Sequence, residues 1–179
     1  MPRKPREEVE GGVHHVYARG SRRGLLFVDD ADRRMYLRLL GRAVERHAWR
    51  CLSFCLMDNH VHLLIETPHA NLGSGMQWLH GRYGEHFNRR HDGSGHVFQG
   101  RYGAARMLTD VQLWVIVRYI ARNPVEARLC AEVGDWPWSS HAGVLGDAGP
   151  RWLARGRLLD TLRAAGGDPG ARYAELVQA

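Results

Sequence analysis

Two histidines two positions apart are the residues of this sequence best suited to chemistry. They are His60 and His62, and every other side chain within residues 60–65 is aliphatic. In a β-strand, side chains at i and i+2 project from the same face about 6.6 Å apart along the chain, so both imidazoles can reach one ion. A single histidine on a buried strand is usually structural and neutral, whereas burying two side by side without a ligand costs free energy. The pair therefore predicts a metal site.

A tyrosine and an asparagine form a second candidate group. Tyr119 and Asn123 are four positions apart in a predicted helix, so they share one of its faces. A tyrosine beside an apolar helix face is usually a packing residue when nothing else accompanies it. Together with the histidine pair and a basic chain, it suggests a divalent ion held by two neutral imidazoles and an amide oxygen. A phenol would then lie beside the ion, and the partner would be a polyphosphate.

The charge of the chain also favours a polyanionic partner. Its 25 lysines and arginines exceed its 19 aspartates and glutamates, which gives a net charge of +6 at a sequence pI of 9.7. The arginines that we predict to bind phosphates are Arg19, Arg22, Arg23, Arg89, Arg90, Arg101 and Arg122. The alternative, that these side chains are simply solvated, stays open at this point.

The elements that must position these residues follow from periodicity and from turn and cap signals. We predict a strand at 13–18, a helix at 30–47 behind the cap residue Asp29, and a hairpin of strands 51–57 and 60–66 turned at Asp58-Asn59. A helix at 71–90, a strand within 93–107 and a helix from 110 to 123, ended by Pro124, follow. This order favours the α+β class, with a ferredoxin-like antiparallel sheet and helices packed on one face.

The remaining composition divides the chain into three parts. Residues 1–11 are polar and proline-containing and predict a mobile arm, 12–143 form the main domain, and 144–179 form a short helical C-terminal tail. Three cysteines without paired spacing indicate neither a disulfide framework nor a zinc ribbon, which fits a reducing cytoplasm. No apolar run is long enough to span a bilayer, so we expect a soluble protein without a membrane partner.

The candidate residues and their surroundings resemble a known family. Residues 59–64 (NHVHLL) resemble the HUH motif, in which two histidines flank one hydrophobic residue, and residues 119–125 (YIARNPV) resemble the single-tyrosine helix of bacterial HUH transposases. Similar blocks lie at 15–20 (HVYARG), 87–91 (FNRRH), 95–102 (GHVFQGRY) and 135–140 (DWPWSS). The resemblance covers about residues 12–143 and is greatest to the branch of REP-associated tyrosine transposases.

This resemblance implies an enzyme that cleaves and rejoins single-stranded DNA, and the family leads us to expect hairpin-forming repeats as its sites. Tyr119 would be the nucleophile and would form a 5′-phosphotyrosine, while His60, His62 and Asn123 would hold Mg²⁺ or Mn²⁺. The partner would be single-stranded or hairpin DNA, in the bacterial cytoplasm at the nucleoid. Monomer and homodimer both remain open, as do the recognised sequence and the identity of the ion.

Two other classes of function are consistent with the same residues. A non-catalytic module that binds single-stranded nucleic acid would use aromatic side chains for stacking and would leave the histidine pair without a role. A metal-dependent phosphohydrolase would use the histidines but not Tyr119. Replacing Tyr119 with phenylalanine separates the three, because only the transposase needs the phenol to bond to DNA.

Overall fold

The computed structural model describes residues 9–146, 149–163 and 166–178, and four strands and six α-helices lie within these ranges. The strands are β1 (Gly12–Arg19), β2 (Arg50–Leu56), β3 (His60–Thr67) and β4 (Gly103–Met107). The helices are α1 (Asp30–His47), α2 (Leu72–Arg90), α3 (Asp110–Glu126), α4 (His141–Leu145), α5 (Arg155–Arg163) and α6 (Pro169–Gln178). None of these described helices is long and apolar enough to cross a membrane.

The four strands form one antiparallel sheet in the order β2-β3-β1-β4. β3 is therefore an inner strand, with β2 on one side and β1 on the other. In the register of β1 with β3, Tyr17 lies opposite His62 and Arg19 lies opposite His60. Side chains directly opposite each other share a face of the sheet, so β1 and β3 present these four residues on one surface.

Different helices cover the two faces of the sheet. Val61 and Leu63 point from β3 to one face and are fully buried. Phe54 of β2 lies opposite Leu63, and its ring centroid is 5.5 Å from that of Trp152. Trp152 lies against α1, where a Cβ atom at Gly41 would come within 2.6 Å of the indole. α1, which packs against α2, thus covers this face.

The opposite face carries the histidine pair. There His60 contacts Asn123 of α3, and Glu66 pairs with Arg157 of α5 at 3.0 Å. The predicted α+β class with a ferredoxin-like antiparallel sheet is confirmed, and α1 and α2 are its helices on one face. α3 and α5 add a layer on the other face, and α3 lies there as the predicted grouping of Tyr119 and Asn123 with the histidine pair requires.

Local signals explain most element boundaries, with one error. Asp29 accepts the backbone N–H of Ala31 at 2.9 Å through its Oδ1 atom, and α1 begins at Asp30 as predicted. The prediction that Pro124 ends α3 at Asn123 is wrong, because the helix continues to Glu126. A proline removes one amide donor and crowds the preceding turn. Here only two helical residues follow it, and the buried environment of Pro124 holds the last turn in place.

The C-terminal region packs on the rest of the chain. The hydroxyl of Tyr173 in α6 lies 3.2 Å from Nδ1 of His141, and Ala154 donates its backbone N–H to the carbonyl of Cys51 at 2.8 Å. The boundary predicted between 12–143 and 144–179 stays a prediction. Residues 1–8 of the predicted arm, and residues 147–148, 164–165 and 179 of the predicted tail, lie outside the described residues.

Candidate active site

Two elements carry the predicted site residues. His60 and His62 project from the same face of β3, where alternate side chains point the same way. α3 lies over that face and carries Tyr119 and Asn123, four positions apart and therefore on one side of the helix. Ile120, the neighbour of Tyr119, is fully buried and anchors this part of α3 to the core.

The structure brings these four side chains together. The ring centroids of His60 and His62 are 5.1 Å apart, and those of His62 and Tyr119 are 5.2 Å apart. The Nε2 atom of His60 lies 3.1 Å from Oδ1 of Asn123. Asn123 is buried, whereas Tyr119 keeps 39 % of its surface exposed. A large ligand can therefore reach the phenol from solvent, while the side chains of His62 and Asn123 stay buried.

A third histidine, which the sequence analysis did not single out as a site residue, completes the cluster. Nε2 of His15 lies 3.0 Å from Nδ1 of His62 in a buried contact between β1 and β3. The His15 ring is also 6.0 Å from that of Tyr119, between centroids. In the sequence His15 lies two residues before Tyr17, so both side chains are on the same face of β1. Only the register of β1 with β3 brings His15 to His62.

The hydrogen bonds restrict which ring nitrogens are free. Nδ1 of His60 lies 2.7 Å from Oδ1 of Asn59, and Nε2 of His60 lies 3.1 Å from Oδ1 of Asn123. Both oxygens only accept, so the single N–H of the neutral ring donates to one of them and leaves the other ring nitrogen with a lone pair. Nε2 of His62 is buried and has no hydrogen-bond partner among the described residues. The tautomers that carry their protons on Nδ1 of His60 and on Nδ1 of His62 leave both Nε2 atoms with lone pairs.

Burial keeps these imidazoles neutral. Desolvation, followed by the neighbouring His15, His60 and Arg19, lowers the pKa of His62 to about 3. Burial lowers the pKa of His15 to about 4. It also lowers the pKa of His60, against the opposing effect of the contact with Asn123. The neutral ring is the form of histidine that binds metals.

The donor atoms fit a divalent ion. Within residues 9–146, 149–163 and 166–178, no group of three or more His, Cys, Asp or Glu side chains is arranged to hold a metal. An ion here would therefore have His60 Nε2, His62 Nε2 and the Asn123 amide oxygen as its protein donors. A cation would offset the facing lone pairs of His60 and Asn123 and would engage the unpartnered Nε2 of His62. Three protein donors leave positions open for a substrate, as in catalytic metal sites.

Exposure narrows the choice of nucleophile among the six tyrosines, all of which are described. Four are buried, namely Tyr36, Tyr83, Tyr102 and Tyr173. The hydroxyl of Tyr83 donates to the backbone carbonyl of Leu26. Tyr119 and Tyr17 are the two exposed ones, and both lie beside His15.

A comparison with protein-family models matches residues 9–123 to the family described as "Transposase IS200 like". The match covers more than half of the chain and includes both histidines of the pair, Tyr119 and Asn123. The chain belongs to the IS200-like transposase family. The predicted family relationship and the predicted class of protein, a transposase, are thereby confirmed.

Solved structures share the fold of this transposase. A REP-associated tyrosine transposase bound to a REP hairpin shows the shared fold, with a TM-score of 0.71 and 18 % identity over 84 % of this chain and 89 % of its own. A putative transposase from Deinococcus radiodurans is less similar, with a TM-score of 0.47 and 17 % identity over 66 % of this chain and 95 % of its own, and adds no argument about the fold. A search of curated proteins finds no match.

Six of the seven arginines predicted to bind DNA are exposed in this transposase, and Arg90 is one of them. The other five exposed ones are Arg19, Arg22, Arg23, Arg89 and Arg101. Arg19 ends β1 opposite His60. Arg22 and Arg23 form a tight turn with φ values of 53° and 61°. The backbone carbonyl of Arg23 accepts the side-chain amide of Asn59 at 3.4 Å, so this turn lies beside the histidine pair.

The other two arginines have partners within the transposase. Arg90 pairs with Asp29 at 2.6 Å and also with the fully buried Asp32. Arg122 donates through Nη1 to the backbone carbonyls of Val177 and Gln178 in α6, at 3.2 Å each. Phosphate contacts by Arg90 and Arg122 stay predictions, and each would require the arginine to exchange these partners.

Proposed function

We propose that this transposase is a metal-dependent single-stranded DNA endonuclease and strand transferase that works through a 5′-phosphotyrosine on Tyr119. The observation that carries the proposal is the position of the exposed Tyr119 ring, 5.2 Å from the ring of His62 between centroids. A nucleophile and a candidate metal site thus lie side by side. The exposure of the phenol leaves room for a DNA strand to approach.

In this scheme the hydroxyl oxygen of Tyr119 attacks a scissile phosphorus. The new P–O bond forms as the phenol loses its proton, and the bond from phosphorus to the 3′ oxygen breaks. One DNA end leaves as a free 3′-hydroxyl, and the other stays on Tyr119 as a phosphodiester. Because that diester retains the bond energy, a 3′-hydroxyl can reverse the step, so rejoining needs no ATP.

His60, His62 and Asn123 would hold the ion, Mg²⁺ or Mn²⁺. Support comes from the unpartnered Nε2 of His62 and from the facing acceptors on His60 and Asn123. When bound, the ion would polarise the phosphate and stabilise the charge that develops in the transition state.

The proposed substrate is single-stranded or hairpin DNA, at hairpin-forming repeats. The family is one of transposases, and the structural relative with a TM-score of 0.71 is bound to a REP hairpin. The net charge of +6 and the exposed arginines supply attraction to phosphates. Three of them, Arg19, Arg22 and Arg23, are on or next to the end of β1 that faces His60.

The proposal is tested by looking for a covalent adduct. Single-stranded hairpin oligonucleotides copied from repeats around the gene, and matched duplexes, are incubated with the protein and Mn²⁺ or Mg²⁺. A denaturing gel should show a protein-linked 5′ end with single-stranded DNA only. Tyr119→Phe should bind DNA and form no adduct at any metal concentration, whereas Tyr17→Phe, the other exposed tyrosine, should still form one.

The same experiment identifies the rival functions. Metal-dependent cutting that persists in Tyr119→Phe, without an adduct, would establish a phosphohydrolase. Binding without cutting under any condition would establish a non-catalytic module. A Tyr119→Phe variant that still forms the adduct, while Tyr17→Phe does not, would move the nucleophile to Tyr17.

A further inference from the structure

Tyr17 is an exposed aromatic side chain at the candidate active site that the reaction on Tyr119 does not use. It lies directly opposite His62 in the register of β1 with β3. Its ring centroid is 5.5 Å from that of His15, the hydrogen-bond partner of His62. Its surface is 48 % exposed, the largest fraction of any tyrosine in the chain. An aromatic ring so exposed on a sheet is free to contact a ligand.

The neighbouring strand β4 is built to receive this ring. Gly103 pairs with Tyr17 across the two strands. A Cβ atom at position 103 would lie 2.2 Å from Cζ and 2.4 Å from Cε2 of Tyr17. The ring therefore rests on the backbone of Gly103, in space that any larger residue would occupy. This support fixes the ring against the sheet while much of its surface stays in solvent.

The charge around Tyr17 is suited to a nucleic acid strand. Arg19 follows two positions later on the same face of β1 and is exposed. Proteins that bind single strands combine arginines that track the phosphates with aromatic rings on which bases stack. Arg19 and Tyr17 provide one of each, next to His60 and His62 respectively.

We propose that Tyr17 is a stacking platform for a nucleobase that flanks the scissile phosphate, and that Gly103 holds it in place. This inference rests on the proposed function for the position of the phosphate. The occupant is a base of a single strand, since a base inside a duplex has both faces covered by its neighbours and cannot offer one to the ring. Stacking on an aromatic face tolerates all four bases, so the platform would position the strand without reading its sequence.

The test is a binding experiment in the Tyr119→Phe background, which cannot form an adduct. Hairpin oligonucleotides with one abasic site, scanned through every unpaired position, are titrated against this parent, Tyr17→Ala, Tyr17→Phe and Gly103→Val. In the parent, one abasic position should weaken binding by roughly tenfold, the usual scale of one aromatic stack. Tyr17→Ala should bind the intact strand about tenfold more weakly than the parent does. It should bind the strand with that abasic position no more weakly than it binds the intact strand.

The other variants test whether the loss of DNA affinity depends on the aromatic ring of Tyr17. Tyr17→Phe should retain the parent response because the aromatic face is kept. Gly103→Val should resemble Tyr17→Ala while the phenol is still present, because the valine side chain displaces the ring. Leu145→Ala, which removes a side chain of 41 % exposure from α4, is the matched control and should respond like the parent. Thermal melts verify that each variant is folded.

The outcomes separate this inference from the proposed function. Abasic losses that are the same in Tyr17→Ala and in the parent at every position would overturn the platform, even if wild type forms its adduct. An abasic position that weakens binding in the parent but not in Tyr17→Ala supports the platform, even if wild type forms no adduct on any strand and the proposed chemistry fails. If Leu145→Ala abolishes the abasic loss of affinity as Tyr17→Ala does, the platform is also overturned, because the effect would not depend on Tyr17.

Discussion

The Nε2 atom of His15 lies 3.0 Å from Nδ1 of His62, in a buried contact between residues 47 positions apart. This contact occupies one nitrogen of His62 and leaves Nε2, the buried atom without a described partner, as the proposed metal ligand. Side chains that bond the second nitrogen of a metal-ligating histidine fix the orientation and tautomer of its ring. His15 therefore has the position of such an orienting residue.

We predict that His15→Ala weakens Mn²⁺ binding by about 10- to 100-fold while the protein stays folded. Isothermal titration with Mn²⁺ measures the affinity. His14→Ala is a suitable control, because His14 is equally buried on the other face of β1. Equal Mn²⁺ affinities in wild type and His15→Ala would show that the contact only packs the two strands.

Arg89 and Arg90 are neighbours in the sequence, and we predict that their substitution affects different properties of the protein. Arg90→Ala leaves the buried carboxylate of Asp32 without its arginine, so we expect the variant to unfold at a lower urea concentration than wild type. Arg89→Ala should change stability by less than about 0.5 kcal/mol and should lower DNA affinity. Urea denaturation and DNA titration of both variants test the pair. A stable Arg90→Ala that has lost DNA affinity would mean that Arg90 also acts on DNA.

Arg122 is expected to stabilise the contact between α3 and α6. Arg122→Ala removes two hydrogen bonds to α6 carbonyls, which should cost about 1 kcal/mol and speed amide hydrogen exchange within α6. Arg118, on the same helix and exposed, provides the control substitution Arg118→Ala. Exchange that is unchanged in Arg122→Ala would assign the attachment of α6 to packing alone.

Stability should fall as the metal-free protein is acidified. The pKa values of His15 and His62 in the folded state are about 4 and about 3, below the ordinary value of 6.5. The unfolded chain therefore takes up protons first, so stability is complete above about pH 6.5 and is lost as the pH falls towards 4. Urea midpoints at pH 7.5, 6.0 and 5.0 measure this. His15→Gln should reduce the pH dependence of the urea midpoint, and substitution of the exposed His69 should not. A midpoint that is constant from pH 7.5 to 5.0 would refute this prediction.

Salt should weaken DNA binding in proportion to the phosphates contacted. Each single-strand phosphate neutralised contributes about 0.7 to the slope of log affinity against log salt. We expect Arg22→Ala combined with Arg23→Ala to lower that slope by about 1.4 if both contact phosphates. Arg151→Ala combined with Arg163→Ala changes the net charge equally but lies in the C-terminal region. An equal fall in slope for both double variants would indicate a general charge effect.

Patterns within one element were readable from the sequence. The alternation around His60 and His62 predicts a strand with both rings on one face, and Asp29 predicts the start of α1 because its cap bond is local. Tyr119 and Asn123 share a helix face by their spacing alone. The family resemblance then assigned roles to these residues, and the match over residues 9–123 supports that relationship.

Contacts between distant elements were not readable in this way. The approach of His15 to His62 depends on the register of β1 with β3, and the bond from Arg122 to α6 depends on how the tail folds back. The ion pairs of Arg90 likewise join residues 61 and 58 positions apart. Charge alone could not distinguish Arg90 from Arg89, since only the folded chain brings Asp29 and Asp32 to one of them.

The bonds from Arg122 to the last turn of α6 also bear on the order in which the protein is made. The partners are separated by 55 and 56 positions. A ribosome releases the strands with His60 and His62 long before it releases α6. We therefore expect a nascent chain to assemble its histidine pair first and to secure the helix of Tyr119 only afterwards. Cutting of DNA would then await the emergence of the C-terminal helices from the ribosome.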